Sequence, residues 1–130
     1  MGITRTALIL RNPVRQELSG IEIQALADTS AMHLCIPEHV ALQLQLQEQE
    51  KRAVTLADGS QRLMPYVGPI EVRFGNRRCF VGAMVMGDEV LLGAIPMEDM
   101  DLVVRPMTRD VAVNPASPNV PSSLAKGYRN

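Results

Sequence analysis

Asp28 is the residue of this chain whose type and setting most plainly offer acid–base chemistry. It sits in Leu26-Ala27-Asp28-Thr29-Ser30-Ala31, between an apolar run that ends at Ala27 and another that leaves through Met32, Leu34, Cys35 and Ile36. A carboxylate held on a tight loop can act as a general base when ionised and as a general acid when protonated. The plainer reading stays open beside it. Asp, Thr and Ser all accept backbone hydrogen bonds and favour turns, so Asp28 could simply cap an Asx-turn between two core strands. Either way, a carboxylate between buried strands is costly without neighbours that stabilise it.

The other reactive residue types form no competing constellation. His33 and His39 flank Pro37 with no further His or Cys nearby to complete a metal site, and His33, alternating with Met32 and Leu34, is expected to face outward. Cys35 and Cys79 lie in apolar, strand-like runs, where a free cysteine behaves as a small hydrophobe. No Ser or Cys has an evident His-plus-acid partner set, no phosphate-binding glycine loop occurs, and aromatics are too few for a base-stacking platform. No cofactor is expected, and no metal.

Composition narrows the partners. The chain has 130 residues and a formal net charge of −1, with arginine far in excess of lysine but scattered along the sequence. That balance gives no sign of a nucleic-acid or anionic-membrane partner. No apolar run approaches the roughly 18 residues of a transmembrane helix, and the N-terminus lacks the charged and apolar regions of a signal peptide. Met1-Gly2 followed by Thr6 matches a loose myristoylation pattern without a second anchor. The expectation is a cytoplasmic protein that binds neither membrane nor nucleic acid.

The elements that must position Asp28 are short strands. Thr4 to Arg11 reads as a first strand, broken by Asn12-Pro13. Ile21, Ile23, Ala25 and Ala27 share one face at period two and form a second. Pro37-Glu38 opens a helix to about Leu44, although Leu42 to Gln47 alternates at period two and leaves an extended exit open. Ala53 to Leu56 and Gln61 to Tyr66 flank Ala57-Asp58-Gly59-Ser60, where Asp-Gly signals a hairpin. Pro69 to Phe74 and Arg78 to Met86 flank Gly75-Asn76-Arg77. Gly87-Asp88 then leads into Val90-Leu91-Leu92-Gly93-Ala94. A short helix is expected over Pro96 to Met100 with its acids near the N-terminal end, and a last strand pair, Leu102–Arg105 and Asp110–Val113, closes on Pro106-Met107-Thr108. Eight or nine strands with turns every 8–12 residues or so predict an all-β fold, a closed or sandwiched barrel with one or two short helices. The domain is expected to span residues 1–113, followed by a Pro/Asn/Ser-rich, poorly ordered C-terminal tail over 114–130. There is also a weak two-fold echo, the strand, loop and helix around Asp28 being answered by those around Gly93.

Two of these segments carry a family likeness. Leu26-Ala27-Asp28-Thr29-Ser30-Ala31 resembles the active-site loop of retroviral-type (retropepsin-like) aspartic proteases, written apolar-apolar-Asp-Thr/Ser-Gly-Ala. Leu91-Leu92-Gly93-Ala94 resembles their second signature, two apolar residues and a glycine before a short helix. The likeness covers roughly Thr4 to Val113 and is closest to the single-domain bacterial-type members. One departure stands out: Ser30 occupies a position where the family usually has glycine.

The resemblance implies a closed barrel in which the two signature loops cross, and an endopeptidase in which two Asp28 carboxylates of a homodimer activate one water. The chain has a single such loop, so the second must come from another copy. The resemblance further gives Thr29 a hydroxyl bond across the dimer and gives the amides of Ser30 and Ala31 the task of holding the carboxylates. Ala57, Asp58, Gly59 and Ser60 become a flap tip over an extended peptide or protein substrate. The alternative is a catalytically inactive dimer of the same fold that binds peptides or mediates association, which accommodates Ser30 without strain.

Overall fold

The computed structural model describes residues 3–125 and Gly127. The Met1-Gly2 pattern and the end of the tail, including Tyr128, lie outside the described residues. Among the described residues nine strands and two short helices follow one another as β1 (Arg5–Arg11), β2 (Ile21–Ala27), β3 (Leu34–Ile36), α1 (Glu38–Gln43), β4 (Glu48–Thr55), β5 (Gln61–Phe74), β6 (Arg77–Val85), β7 (Val90–Leu92), α2 (Ala94–Asp99), β8 (Leu102–Arg105) and β9 (Asp110–Val113).

Period-two patterning decides which faces close on one another. In β1, Leu8 and Leu10 point inward and are fully buried while Ile9 between them is 42 % exposed. Six strands close a barrel in the order β1-β2-β7-β3-β6-β5 and back to β1, through antiparallel pairing of Ile9 with Arg73 and Leu10 with Val72. Leu8, Leu10, Leu34, Ile36, Ile70 and Leu92 anchor the interior, each contributing about 2–3 kcal/mol of hydrophobic burial. Closure pairs each of these six strands on both sides over at least part of its length. The all-β barrel expected from the turn spacing is therefore the architecture found.

β4 lies outside this ring, paired only to the first half of β5. Its exposed position explains why it begins at Glu48 rather than Ala53. Glu48 to Lys51 are exposed on both faces, so no apolar alternation marks them, and ion pairs of Lys51 with Glu48 (3.1 Å) and Arg52 with Glu50 (2.6 Å) run along it. The two strands expected on either side of Gly68-Pro69 are instead one strand of 14 residues. Proline has no N–H for the ladder, and the register shifts between Val67 and Ile70 to accommodate it.

Both helices are too short to be stable alone and are held by packing. In α1 Pro37 is the N-cap, and its carbonyl accepts from the amides of Val40 and Ala41 at 3.1 and 3.3 Å. Buried Asn12 donates to the carbonyls of Leu44 (2.9 Å) and Gln45 (3.2 Å) beyond the helix, and its own Oδ1 accepts from the amides of Val14 and Arg15. α2 starts two residues before its expected position. Pro96 is tolerated inside the first turn because the first amides of a helix have no intrahelical acceptor. The shift puts Glu98 and Asp99 in the last turn, not near the N-terminus as the sequence implied.

The tail differs from the loose segment expected. Residues 114–122 fold back over the end of α2, where Asp101 accepts from Asn114 Nδ2 (3.0 Å), the Ser122 amide (2.9 Å) and the Ser117 hydroxyl. Arg77, 1 % exposed, donates through Nη2 to the Ser117 carbonyl. The Ser117 hydroxyl, with Asn114 and the Ser122 amide, draws the Asp101 carboxyl down to about 2. A carboxyl depressed on folding stabilises the folded state above its ordinary value near 4, and that contribution is lost as pH falls through the folded value. Truncation after Val113 is therefore expected to lower the thermal midpoint at pH 7 by roughly 5–10 °C, chiefly through loss of the buried Arg77 contact. The gap from the full chain should narrow as pH falls from about 4 towards 2. Equal midpoints for the two chains in a calorimetric comparison at pH 7 would show the tail to be an appendage.

Candidate active site

Strand β7 is threaded between β2 and β3, and this placement builds the site. It runs parallel to β2, with Leu26 opposite Leu91 and Ala27 opposite Leu92, and antiparallel to β3, with Cys35 opposite Leu91. Where β2 ends, the Asp28 amide donates to the Leu92 carbonyl at 3.0 Å. The Ala94 and Ile95 amides donate to the carbonyls of Ala31 (2.8 Å) and Met32 (2.9 Å). The loop after β2 and the turn after β7 are thus stitched through their backbones. Gly93 is what allows it: a Cβ there would lie 2.3 Å from the His33 carbonyl oxygen and 2.9 Å from that of Ala31. The two segments singled out in the sequence, Asp28-Thr29-Ser30-Ala31 and Leu91-Leu92-Gly93-Ala94, are brought together.

Asp28 tops this crossing. Its Oδ1 accepts two hydrogen bonds from one residue, the Ser30 amide at 3.0 Å and the Ser30 hydroxyl at 2.6 Å. The Ser30 hydroxyl first, and the Ser30 amide second, hold the carboxyl below its ordinary value, with burial opposing. Among the described residues nothing donates to Oδ2. Thr29 and Ser30 are exposed, Asp28 half-buried.

The Asp58-Gly59 turn joins β4 to β5, with the Leu56 amide donating to the Ser60 carbonyl at 2.8 Å and Gly59 at φ +86°. Asp58 repeats the Asp28 geometry, accepting from the Ser60 amide (2.9 Å) and hydroxyl (2.6 Å). Ala57, Asp58, Gly59 and Ser60 are all exposed, and no hydrogen bond among the described residues joins them to the Asp28 loop. A cavity of about 360 Å³ is lined by Ala31, Met32, His33 and Cys35, by Arg52–Thr55 of β4, and by Met84, Met86 and Leu91; neither Asp28 nor Ala57–Ser60 lines it.

Sequence reasoning missed most of this lining. Arg52, Met84 and Met86 belong to no motif in the sequence, and Ile36 beside them is fully buried core. The Arg52 guanidinium stacks on Tyr66 at 3.7 Å, and the His33 ring meets the Tyr66 ring edge-on at 6.0 Å. His33 is thus half-buried rather than turned outward, and burial, then the Arg52 charge, pushes its imidazole below its ordinary value. Cys35 and Cys79 are free thiols, both pushed up by burial, Cys79 to about 12. A larger recess of about 540 Å³ between β6, α2 and the tail contains no residue of the Asp28 loop. No cluster of metal-ligating side chains occurs among the described residues, and no helix among them is long and apolar enough to cross a membrane.

No family model matches the sequence, and no curated protein matches it. Solved structures do. The crystal structure of the retroviral protease-like domain of Ddi1 from Leishmania major superposes with a TM-score of 0.56 at 11 % identity, covering 98 % of this chain and 100 % of that one. The solution structure of the Simian Foamy Virus (mac) protease has a TM-score of 0.47 at 16 % identity, covering 71 % of this chain and 91 % of that one. A retropepsin-like aspartic protease from Rickettsia conorii has a TM-score of 0.38 at 17 % identity, covering 72 % and 80 %. With the Ddi1 domain matched over nearly its whole length by a closed barrel with a threaded β7, the fold of this chain is the retropepsin-like one.

Proposed function

We propose that the protein is an aspartic endopeptidase that hydrolyses peptide bonds as a homodimer, each copy contributing Asp28. The observation that carries this reading is the crossing of the Asp28 loop with the Gly93 turn at one end of the barrel, beside a largely apolar cavity. Asp28 of one copy faces Asp28 of the other across a two-fold axis, and Thr29, exposed on the same loop, bonds to the partner loop.

Two like charges about 3 Å apart at an effective dielectric near 20 repel by roughly 5 kcal/mol. The pair therefore holds one proton, the established behaviour of aspartic-protease carboxylates. The ionised Asp28 takes a proton from the water, which attacks the scissile carbonyl. The protonated Asp28 donates to the carbonyl oxygen, and a proton passes to the leaving amine. The Ala57–Ser60 turn acts as a flap, adding backbone bonds to an extended substrate and excluding water. No metal or cofactor takes part.

Each half-site is inert alone, so specific activity should fall on dilution, approaching proportionality to enzyme concentration once dimers dissociate. Peptide-library digestion over a concentration series tests this. Undiminished specific activity from a protein shown to be monomeric would refute the shared site. Ser30 in place of glycine favours a second reading, a peptide-binding dimer without activity. That reading predicts saturable peptide binding in the same library with no cleavage at any pH.

A further inference from the structure

We propose that Ser30 is a positioning residue for Asp28: its hydroxyl donates to Oδ1 alongside its own amide, fixing the carboxylate's rotation and leaving Oδ2 as the atom that exchanges a proton with water. The inference rests on the aspartic-protease reading for its catalytic meaning, though not for its geometry. An O–H···O contact of 2.6 Å to a carboxylate falls in the range of charge-assisted hydrogen bonds, about twice as strong as neutral ones. A glycine would supply only the amide, leaving the carboxylate one donor and a free torsion. With two donors on one oxygen, protonation at Oδ1 would set a proton against both, so the proton goes to Oδ2, to which no described residue donates. The Ser30 hydroxyl keeps its own proton throughout, so it takes no part in the bond-making steps.

The arrangement belongs to the Asp-x-Ser turn itself. Asp58 and Ser60 reproduce it to within 0.1 Å, and there too the Ser hydroxyl is the first cause of a lowered carboxyl. The dimer is therefore not needed to form it. On the adjoining strands, Arg5 and Glu89 are paired with each other at 2.7 Å. His33 on the loop's exit is pushed towards its neutral form by burial, then by Arg52. The Leu92–Ile95 segment across the crossing carries no charge.

Carboxyl ¹³C NMR titration of the full chain, with Asp28→Asn assigning the resonance, tests the proposal directly. In Ser30→Ala the Asp28 titration, in one step or in the two of a coupled pair, should move to higher pH. Ser30→Thr, which keeps the hydroxyl, should titrate as wild type. Ser60→Ala should move Asp58 and leave Asp28 alone. Where the protein cleaves peptide, the acid limb of kcat/KM should move upward in Ser30→Ala in parallel. An Asp28 titration unchanged in folded Ser30→Ala and Ser30→Gly, or a Ser30→Thr protein that titrates like Ser30→Ala, would overturn it. A wild type that cuts nothing while Asp28 still shifts in Ser30→Ala would instead sink the protease reading and leave the Ser30 contact standing.

Discussion

Asp28→Asn should reduce peptide hydrolysis by at least about a thousandfold, near the upper range for a positioned general acid–base group, and leave the barrel folded. The amide is isosteric with the carboxylate, and its Oδ1 can still accept from the Ser30 amide and hydroxyl. What it cannot do is take up the proton from water. Because Asp28 is half-buried and makes no ion pair among the described residues, the thermal midpoint should stay within about 2 °C of wild type. Circular dichroism beside a cleavage assay separates the two effects. An Asp28→Asn protein that cleaves at the wild-type rate would remove the carboxylate mechanism. The barrel would stand regardless, because strand pairing and burial define it.

Gly93→Ala should damage fold and site together. The backbone at Gly93 is extended (φ −87°, ψ −174°), a conformation any residue adopts, so glycine is not there for its torsion freedom. It is there for space: the added methyl would sit 2.3 Å from the His33 carbonyl oxygen and 2.8 Å from the Met32 carbonyl carbon, both backbone atoms with little room to retreat. Separating the segments breaks the Ala94–Ala31 and Ile95–Met32 hydrogen bonds that hold the Asp28 loop. A loss of about 3 kcal/mol is expected from overpacking at such a site, read as a lower denaturant midpoint with an unchanged m-value. Cleavage should fall with it at temperatures where the variant is still folded. A midpoint within about 0.5 kcal/mol of wild type would mean that the loops part without cost and that their crossing does not hold Asp28.

The parts of this architecture that the sequence made legible are those where a local rule and the tertiary environment agree. β2, β8 and β9 begin and end where alternation and turn residues place them. The closed barrel follows from many short strands with no long helix. The crossing at Gly93 was legible only through the family likeness, since nothing local says which backbone a glycine must touch. Elements were misplaced where local signals were silent or conflicting. β4 is polar on both faces over Glu48–Lys51 because it stands outside the barrel, so alternation could not reveal it. Gly68-Pro69 is a strong break signal, overridden because β5 is paired on both sides of it to β6. The tail is poor in large apolar residues, yet Asp101 and Arg77 hold it by hydrogen bonds that composition does not encode. In the site, the Asp28 and Ser30 contact is two residues apart in sequence and within reach of turn chemistry. The Arg52–Tyr66–His33 contacts join β4, β5 and the loop before β3 and have no sequence signature.

Mixing wild type with an inactive variant shows whether two copies of Asp28 make one site. Wild-type protein at fixed concentration is equilibrated with increasing Asp28→Asn protein, and peptide cleavage is measured after subunits exchange. If each site needs a carboxylate from both copies, mixed dimers are dead, and a tenfold excess of the variant should lower wild-type activity by about tenfold. Wild-type activity untouched by that excess, with exchange verified by mass-tagged subunits, would mean that one Asp28 suffices for each site.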